Sequence, residues 1–328
     1  MKLNKSSSYA LIHLLNGHKT ASSIAEHTDA PDIRSIQRAL QRIIDLGLVE
    51  KHGAANSPKY SPNFSQIIQA DIPPKLFDYE TRPVSNYRFS LVDWLFNQTP
   101  EQIDNLFIKS IARSTQDKAE ITPKDLEYLT VELSWKSSAL EGNTYTLLDT
   151  QLLLTEGIRA KNRTEFETQM ILNHKDAISF IVENRELFTE HIEFKALEEL
   201  HKIIGNNLGI DSGVRNKVVR ISASNYRPIS GQQQLREQSD KILSVISRSK
   251  TPYTRALLAL SLIPYLQIFE DGNKRTGRLF ANALLISSIG RGFSLRKVDA
   301  RKLALAYLTF YEFSSMHSLD AILANELE

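Results

Sequence analysis

The sequence predicts a mainly α-helical protein, a helical bundle carrying one β-prone run, preceded by a small domain of three helices and a hairpin. Three observations predict it. From residue 103 onward, apolar residues recur at helical spacing almost without interruption. The one convincing β-prone run there, with Val218, Val219 and Ile221, falls within residues 215–228 and has helical stretches on both sides. Residues 1–65 read instead as three short helices and then two strands around a Gly/Asn/Ser/Pro turn.

At 328 residues the chain has room for two domains or three small ones. Its 41% apolar and 24% charged content is that of an ordinary soluble globular protein. No apolar run is long enough to span a bilayer, and the first ten residues lack a hydrophobic signal core. A cytoplasmic protein with no membrane partner is therefore expected. The absence of cysteine excludes disulfides and thiolate metal sites. A net charge of +2 says nothing about nucleic acid, so local charge has to carry that case.

In chain order, residues 9–15 and 20–27 form the first two helices, with Thr20 as N-cap of the second. After a turn at 29–32, residues 33–46 form a third, with Ile33, Ile36, Leu40, Ile43 and Ile44 on its apolar side. Its other face shows Arg34, Gln37, Arg38, Gln41 and Arg42. Residues 47–63 follow as strand, turn and strand. This order resembles a winged helix-turn-helix, with the helix from Ile33 as its recognition helix. The resemblance implies DNA as a partner, contacted by Arg34, Gln37, Arg38 and Arg42 and by Lys59 on the wing. Eight Lys/Arg against five Asp/Glu in residues 1–65 are compatible with that. A protein-contact or dimerisation module with a merely solvated basic face stays open, as does a homodimer on a two-fold DNA site. Residues 66–104, with Pro73, Pro74, Pro83 and Pro100, read as a linker and a bridging helix near 87–96. Residues 105–328 form the second domain, with helices at 126–135, 165–184, 194–204, 234–247, 303–311 and 319–327.

That domain is organised around residues 267–278, QIFEDGNKRTGR. Apolar helical runs flank the stretch, so it is a polar turn set into a core. The second flanking helix begins at Asn273, with Asp271 or Gly272 near its N-cap. Cations in a first helical turn oppose the macrodipole. Lys274, Arg275 and Arg278 make sense there if a polyanion lies over the exposed N–H groups, with Gly272, Asn273 and Gly277 completing a phosphate site. Asp271 would hold a divalent cation such as Mg²⁺ between phosphates. The alternative is a buried ion-pair network of Glu270 and Asp271 with the three cations.

The stretch resembles the signature of the Fic (Fido) family, HxFx(D/E)GNGRxxR, at Phe269, Asp271, Gly272, Asn273, Arg275 and Arg278. Gln267 stands where the family carries its histidine, and Lys274 where most members carry glycine. Ser137, Glu141, Gly142 and Asn143, in SSALEGN, resemble the (S/T)xxxE(G/N) inhibitory helix of members whose inhibitor precedes the motif. Residues 213–228 resemble the family's β-hairpin flap, which aligns a target protein by strand addition at 218–228. The resemblance covers roughly residues 105–328. It implies a Fic-like bundle and transfer of AMP from ATP, with Mg²⁺, to a target hydroxyl. A branch with NKR in the motif includes a toxin that transfers phosphate. It also implies that Glu141 reaches Arg278 and keeps the ATP γ-phosphate from its productive position.

Gln267 changes what such a site can do. The family's histidine takes the proton of the attacking hydroxyl; a glutamine amide orients a hydroxyl but accepts no proton near neutrality. General base catalysis is worth roughly 10²–10⁴-fold, or about 3–5 kcal/mol. His174, His201 and His317 lie outside the motif and read as core or surface residues. Two functions follow. In the first, favoured by Gln267, the chain is a nucleotide-binding regulator whose N-terminal domain reports its state to DNA. In the second it is a protein adenylyltransferase or phosphotransferase, autoinhibited through Glu141.

Overall fold

A computed structural model describes residues 3–27, 29–72, 82–114 and 117–328. Pro73 and Pro74, part of the expected linker, lie outside these. The described residues are mainly helical and fall into two compact units. The first comprises Met1–Asn97, Val219–Ile229 and Ala304–Ser318; the second comprises Gln98–Val218, Ser230–Leu303 and Leu319–Glu328. No described helix is long and apolar enough to cross a membrane.

The first unit opens with α1 (Lys5–Leu15), capped by the Asn4 side chain, which accepts from the Ser7 N–H at 2.8 Å. Helix α2 (Ala21–Ala25) starts from a reciprocal capping box between Thr20 and Ser23. Helix α3 (Ile33–Asp45) is capped by Asp32. It buries Ile36, Ala39, Leu40 and Ile43 and leaves Arg34, Gln37, Arg38, Gln41 and Arg42 exposed. Ile33, expected on the apolar side, is 40% exposed, because the first helical position lies at the edge of the packed stripe. Strands β1 (Val49–His52) and β2 (Lys59–Pro62) pair antiparallel, Val49 opposite Pro62 and His52 opposite Lys59, so Lys59 stands exposed at the turn end. A short helix, α4 (Phe64–Gln69), follows the hairpin. Within the same unit, burial holds the His13 imidazole down to about 4, helped by the neighbouring His27 and His18.

Further along, β3 (Ser85–Asn86) precedes α5 (Phe89–Phe96). Buried Arg88 donates to the carbonyls of Tyr311 (2.9 Å) and Glu312 (2.6 Å), and the Glu312 carboxylate meets Arg82 at 3.0 Å. Here the structure departs from the expected flap. Residues 215–225 carry no strand; only β4 (Tyr226–Arg227) does, and it pairs parallel to β3 rather than folding back as a hairpin. The β-branched run has no second strand to ladder with: Val218 is 78% exposed and Ala223 takes a positive φ. Propensity without a cross-strand partner does not make a sheet.

The second unit holds α6 (Pro100–Asn105), α7 (Ile108–Arg113), α8 (Pro123–Ala139), α9 (Leu147–Glu156), α10 (Glu165–Glu183), α11 (Phe194–Gly205) and α12 (Gln232–Arg248). Its centre is the pair α13 (Pro252–Leu266) and α14 (Asn273–Ile289); α15 (Ala300–Phe313) belongs mostly to the first unit and α16 (His317–Leu327) mostly to the second. Every residue of α13 from Tyr253 to Leu266 is buried, and α14 is buried on nearly every side, as two mostly apolar flanking runs required. The pair approaches closely because Gly277 faces Pro264: a Cβ there would lie 2.8 Å from the proline Cδ and Cγ. Gly277→Ala is expected to lower stability by about 1–3 kcal/mol through overpacking. An unchanged thermal midpoint would show that α14 can back away without cost.

Candidate functional site

The turn between α13 and α14 is held from inside by its own side chains. Gln267 ends α13 in the left-handed region (φ 52°, ψ 52°), which aims its side chain back at the helix end. Its Nε2 donates to the Pro264 carbonyl (2.7 Å), and its Oε1 accepts from Asn273 Nδ2 (3.3 Å). Asn273 also accepts from the Phe269 N–H (3.0 Å) and donates to the Phe269 carbonyl (2.9 Å). One buried amide thus fixes the loop against the first residue of α14. Outside, Arg215 donates from Nε to the Gln267 carbonyl (2.5 Å) and from its backbone N–H to that of Ile268 (3.0 Å). Lys217 pairs with Glu270 at 2.7 Å.

Gly272 is the N-cap of α14, at φ 77°, and supplies no side chain to the first-turn N–H groups. A residue other than glycine would be strained there. The cations expected around this terminus divide into distinct environments. Arg275 is 3% exposed; one nitrogen donates to Asp271 Oδ2 at 3.2 Å, while Nε and Nη1 are buried with no protein partner. Burial, partly offset by Asp271 and Glu141, pushes its guanidinium below the ordinary value. This is an arrangement that an anion would relieve. The Asp271 carboxylate, apart from its contact with Arg275, is largely exposed. Lys274, half-exposed, pairs with Glu141 Oε2 at 3.3 Å. Gly277, read with the phosphate residues, is buried against Pro264.

Arg278 is fully buried and occupied. Its Nη2 donates to Glu141 Oε1 (2.8 Å) and to the Ser137 carbonyl (3.1 Å), and its Nε to Ser137 Oγ (3.0 Å). Helix α8 ends at Ala139, and Gly142 at φ 93° turns the chain, so Glu141 lies just beyond the helix end, facing α14. Asn143 donates to the Glu167 carbonyl (2.8 Å), pinning this turn to α10. Of the four candidate residues within the SSALEGN stretch, Ser137 and Glu141 thus touch Arg278, while Gly142 and Asn143 shape the turn. Burial alone would raise the Glu141 pKa, but attraction to Arg278 and Lys274 outweighs it and holds the carboxyl below its ordinary value. The ion pair is therefore complete above the ordinary glutamate range. It is lost only as pH falls through the lowered value.

Two histidines that sequence spacing set apart from the motif are brought to it. His174 of α10 donates from Nδ1 to the Met170 carbonyl (2.8 Å), which leaves Nε2 to accept from Ser137 Oγ (2.8 Å). The serine can then accept from Arg278 only through its oxygen. This relay orients the arginine, and desolvation keeps His174 neutral by lowering it to about 3. His201 of α11 stacks on Phe269, centroids 3.6 Å apart, and donates from Nε2 to the Asp271 carbonyl (2.9 Å). Its remaining nitrogen, Nδ1, is buried, and burial lowers the ring to about 4. Neither ring is poised to take a proton from an incoming hydroxyl. No signal in the sequence marks Arg215, His174 or His201 as site residues, because Arg215 and His201 reach the turn, and His174 reaches Arg278 through Ser137, from separate segments.

The arrangement is a helix terminus without a side-chain cap, with one buried guanidinium only partly satisfied and another held by a carboxylate. The chain's likeness to known proteins centres on it. Residues 191–285 match the family model described as Fic/DOC family. The protein adenylyltransferase Fic of Nematostella vectensis is 26% identical over 156 residues, 46% of this chain and 36% of that protein. The protein adenylyltransferase fic-1 of Caenorhabditis elegans is 27% identical over 157 residues, again 46% of this chain but 30% of the relative. The match thus spans about a third of these relatives' length. Among solved structures, Fic-1 of C. elegans aligns over 72% of this chain and 70% of its own, with TM-score 0.50 and 18% identity. A Fic domain containing signalling protein of Bacteroides thetaiotaomicron aligns over 69% of this chain and 94% of its own, with TM-score 0.50 and 19% identity. At such identity the likeness to these structures is one of fold, and the family resemblance rests on residues 191–285, the segment that matches the Fic/DOC family model.

Proposed function

We propose that this domain binds ATP or a related nucleotide through its phosphates at the N terminus of α14, and that the chain is a nucleotide-responsive, DNA-binding regulator. The observation that carries the nucleotide half is Arg275, buried with two guanidinium nitrogens unpartnered beside an uncapped helix terminus. The residues fit a polyphosphate and its cation: the first-turn N–H groups and Arg275 would hold phosphate oxygens, and Asp271 would hold Mg²⁺. The metal would supply charge neutralisation between phosphates. What favours binding over catalysis is Gln267, whose amide is committed on both sides to Pro264 and Asn273 and accepts no proton. Calorimetric titration of the full chain with ATP and magnesium tests this reading. Binding is expected for ATP and near absence of it for adenosine, which lacks the phosphates. Equal affinity for both would overturn it.

A second reading, an autoinhibited protein adenylyltransferase or phosphotransferase, is favoured by the Glu141–Arg278 contact, since a lock on that arginine restrains transfer only where transfer can occur. The names of the relatives point the same way. A target protein would then approach near residues 218–228.

The DNA half rests on the N-terminal helices and hairpin, read as a winged helix-turn-helix. Support comes from the exposed row Arg34, Gln37, Arg38 and Arg42 on α3 and from Lys59 at the hairpin turn. A homodimer would suit a palindromic site. Arg38→Ala is expected to weaken specific binding by about 1–3 kcal/mol where the side chain reads a base edge. If the full chain binds no duplex even at low salt, where phosphate contacts are strongest, the regulator reading fails.

A further inference from the structure

Away from the nucleotide site, the first unit gathers three histidines. His13 lies in the last turn of α1, His18 in the turn before α2, and His27 just after α2. Two short helices joined by a tight turn bring them together, each offering one ring nitrogen within 4.8 Å of the other two. His18 Nε2 and His27 Nε2 are 3.2 Å apart. We propose that His13, His18 and His27 form a binding site for a divalent transition-metal ion, zinc(II) in the first instance, with solvent in the fourth position.

Spacing is the first support. Zinc–imidazole bonds of about 2.0–2.1 Å in a tetrahedron put ligand nitrogens about 3.3 Å apart. The His18–His27 pair is already at that distance, and only His13 has to close in. A hydrogen bond between two rings gives the same spacing but does nothing for the third. That third ring is the second, independent support. His13 is 5% exposed, and both of its nitrogens are buried with no protein partner. Buried polar atoms without partners are rare and costly. A metal ion shared with His18 and His27 gives one of these nitrogens a strong one.

The scaffold is already in place. The His18 N–H donates to the His13 carbonyl (3.1 Å), and the Lys19 carbonyl accepts from the Tyr60 N–H of β2 (2.8 Å), fixing the turn that carries His18. Tyr9 packs its ring against His13, centroids 4.4 Å apart, and its hydroxyl donates to Asp29 Oδ1 (3.1 Å). The donor set selects the metal class. Three imidazoles with neither thiolate nor carboxylate among them suit zinc, copper or nickel and not magnesium or calcium. Bound there, the ion would tie the end of α1 to the far side of α2 and so stiffen the support of α3.

The test uses the tag-free full chain stripped with a chelator. Titration with zinc chloride should show one ion per chain, and cobalt(II) should give the intense visible bands of tetrahedral nitrogen ligation. His18→Ala and His27→Ala, both at least partly exposed, should each weaken zinc binding about tenfold or more while leaving the far-UV circular dichroism unchanged. His52→Ala, an exposed histidine on the hairpin, should leave binding as it was. Zinc should raise the thermal midpoint of the parent and not of His27→Ala. A stripped chain that binds no zinc, or binding indifferent to both His18→Ala and His27→Ala, would overturn the site.

Discussion

Changing Gln267 to His together with Glu141 to Gly is expected to raise AMP transfer from ATP by about 10²–10⁴-fold over the chain as it stands, the range a positioned general base supplies. In the transfer the target hydroxyl oxygen bonds to the α-phosphorus and the bond to pyrophosphate breaks, so the hydroxyl proton must go somewhere. As the chain stands, Gln267 is hydrogen-bonded to Pro264 and Asn273, His174 is committed to Met170 and Ser137, and His201 presents only a buried nitrogen. Glu141→Gly alone removes the carboxylate from Arg278 but adds no proton acceptor, and it should stay near background. Gln267→His alone adds the acceptor under a closed lock and should gain less than the pair. The assay follows α-labelled and γ-labelled ATP onto the chain itself and onto proteins of a cell extract. Transfer by Glu141→Gly alone would replace the regulator reading with an enzyme using a substitute base. Label arriving only from the γ position would indicate phosphotransfer, with Lys274 as its sequence mark.

The second large effect concerns affinity rather than rate. Glu141→Gly is expected to tighten ATP binding, and Arg278→Ala to weaken it by about 10–150-fold, the equivalent of a charged hydrogen bond worth about 1.5–3 kcal/mol. The opposite signs follow from one contact. Arg278 is 1% exposed, so its charge is stabilised only by what reaches it inside, namely Glu141 and Ser137. A carboxylate and a terminal phosphate would compete for the same guanidinium. Removing the carboxylate frees the arginine for nucleotide, and removing the arginine leaves neither competitor a partner there. In a double-mutant cycle the gain from Glu141→Gly should vanish in the Arg278→Ala background. Circular dichroism on each variant separates this from loss of fold, and Arg278→Lys, which keeps the charge, should lie between. Unchanged calorimetric affinity in both single variants would remove the phosphates from this site.

By itself the sequence determined the helical second unit, the buried pair around the polar turn, and the start of α14 at Asn273. These follow from local rules: an apolar run long enough to be buried all round, a glycine at the break, and cations where a macrodipole disfavours them. It determined the order of three helices and a hairpin at the N terminus for the same reason, since caps and turn residues act within a few positions. The exposed row on α3 was legible in the 3.6-residue period, while Ile33 was not, because periodicity does not say where a packed stripe stops. The tertiary structure alone decided the rest. The β-prone residues at 218–221 found no second strand, and pairing is a non-local event that propensity cannot supply. Ser137 and Glu141 face Arg278 across 141 and 137 residues of chain, and Arg215 and His201 reach the turn, and His174 reaches Arg278 through Ser137, each from its own segment. Whether Gln267 is free to meet a hydroxyl was also beyond the sequence. Its left-handed backbone and its bonds to Pro264 and Asn273 exist only once α13 and α14 have packed, because a buried amide is oriented by whichever partners the fold leaves within reach.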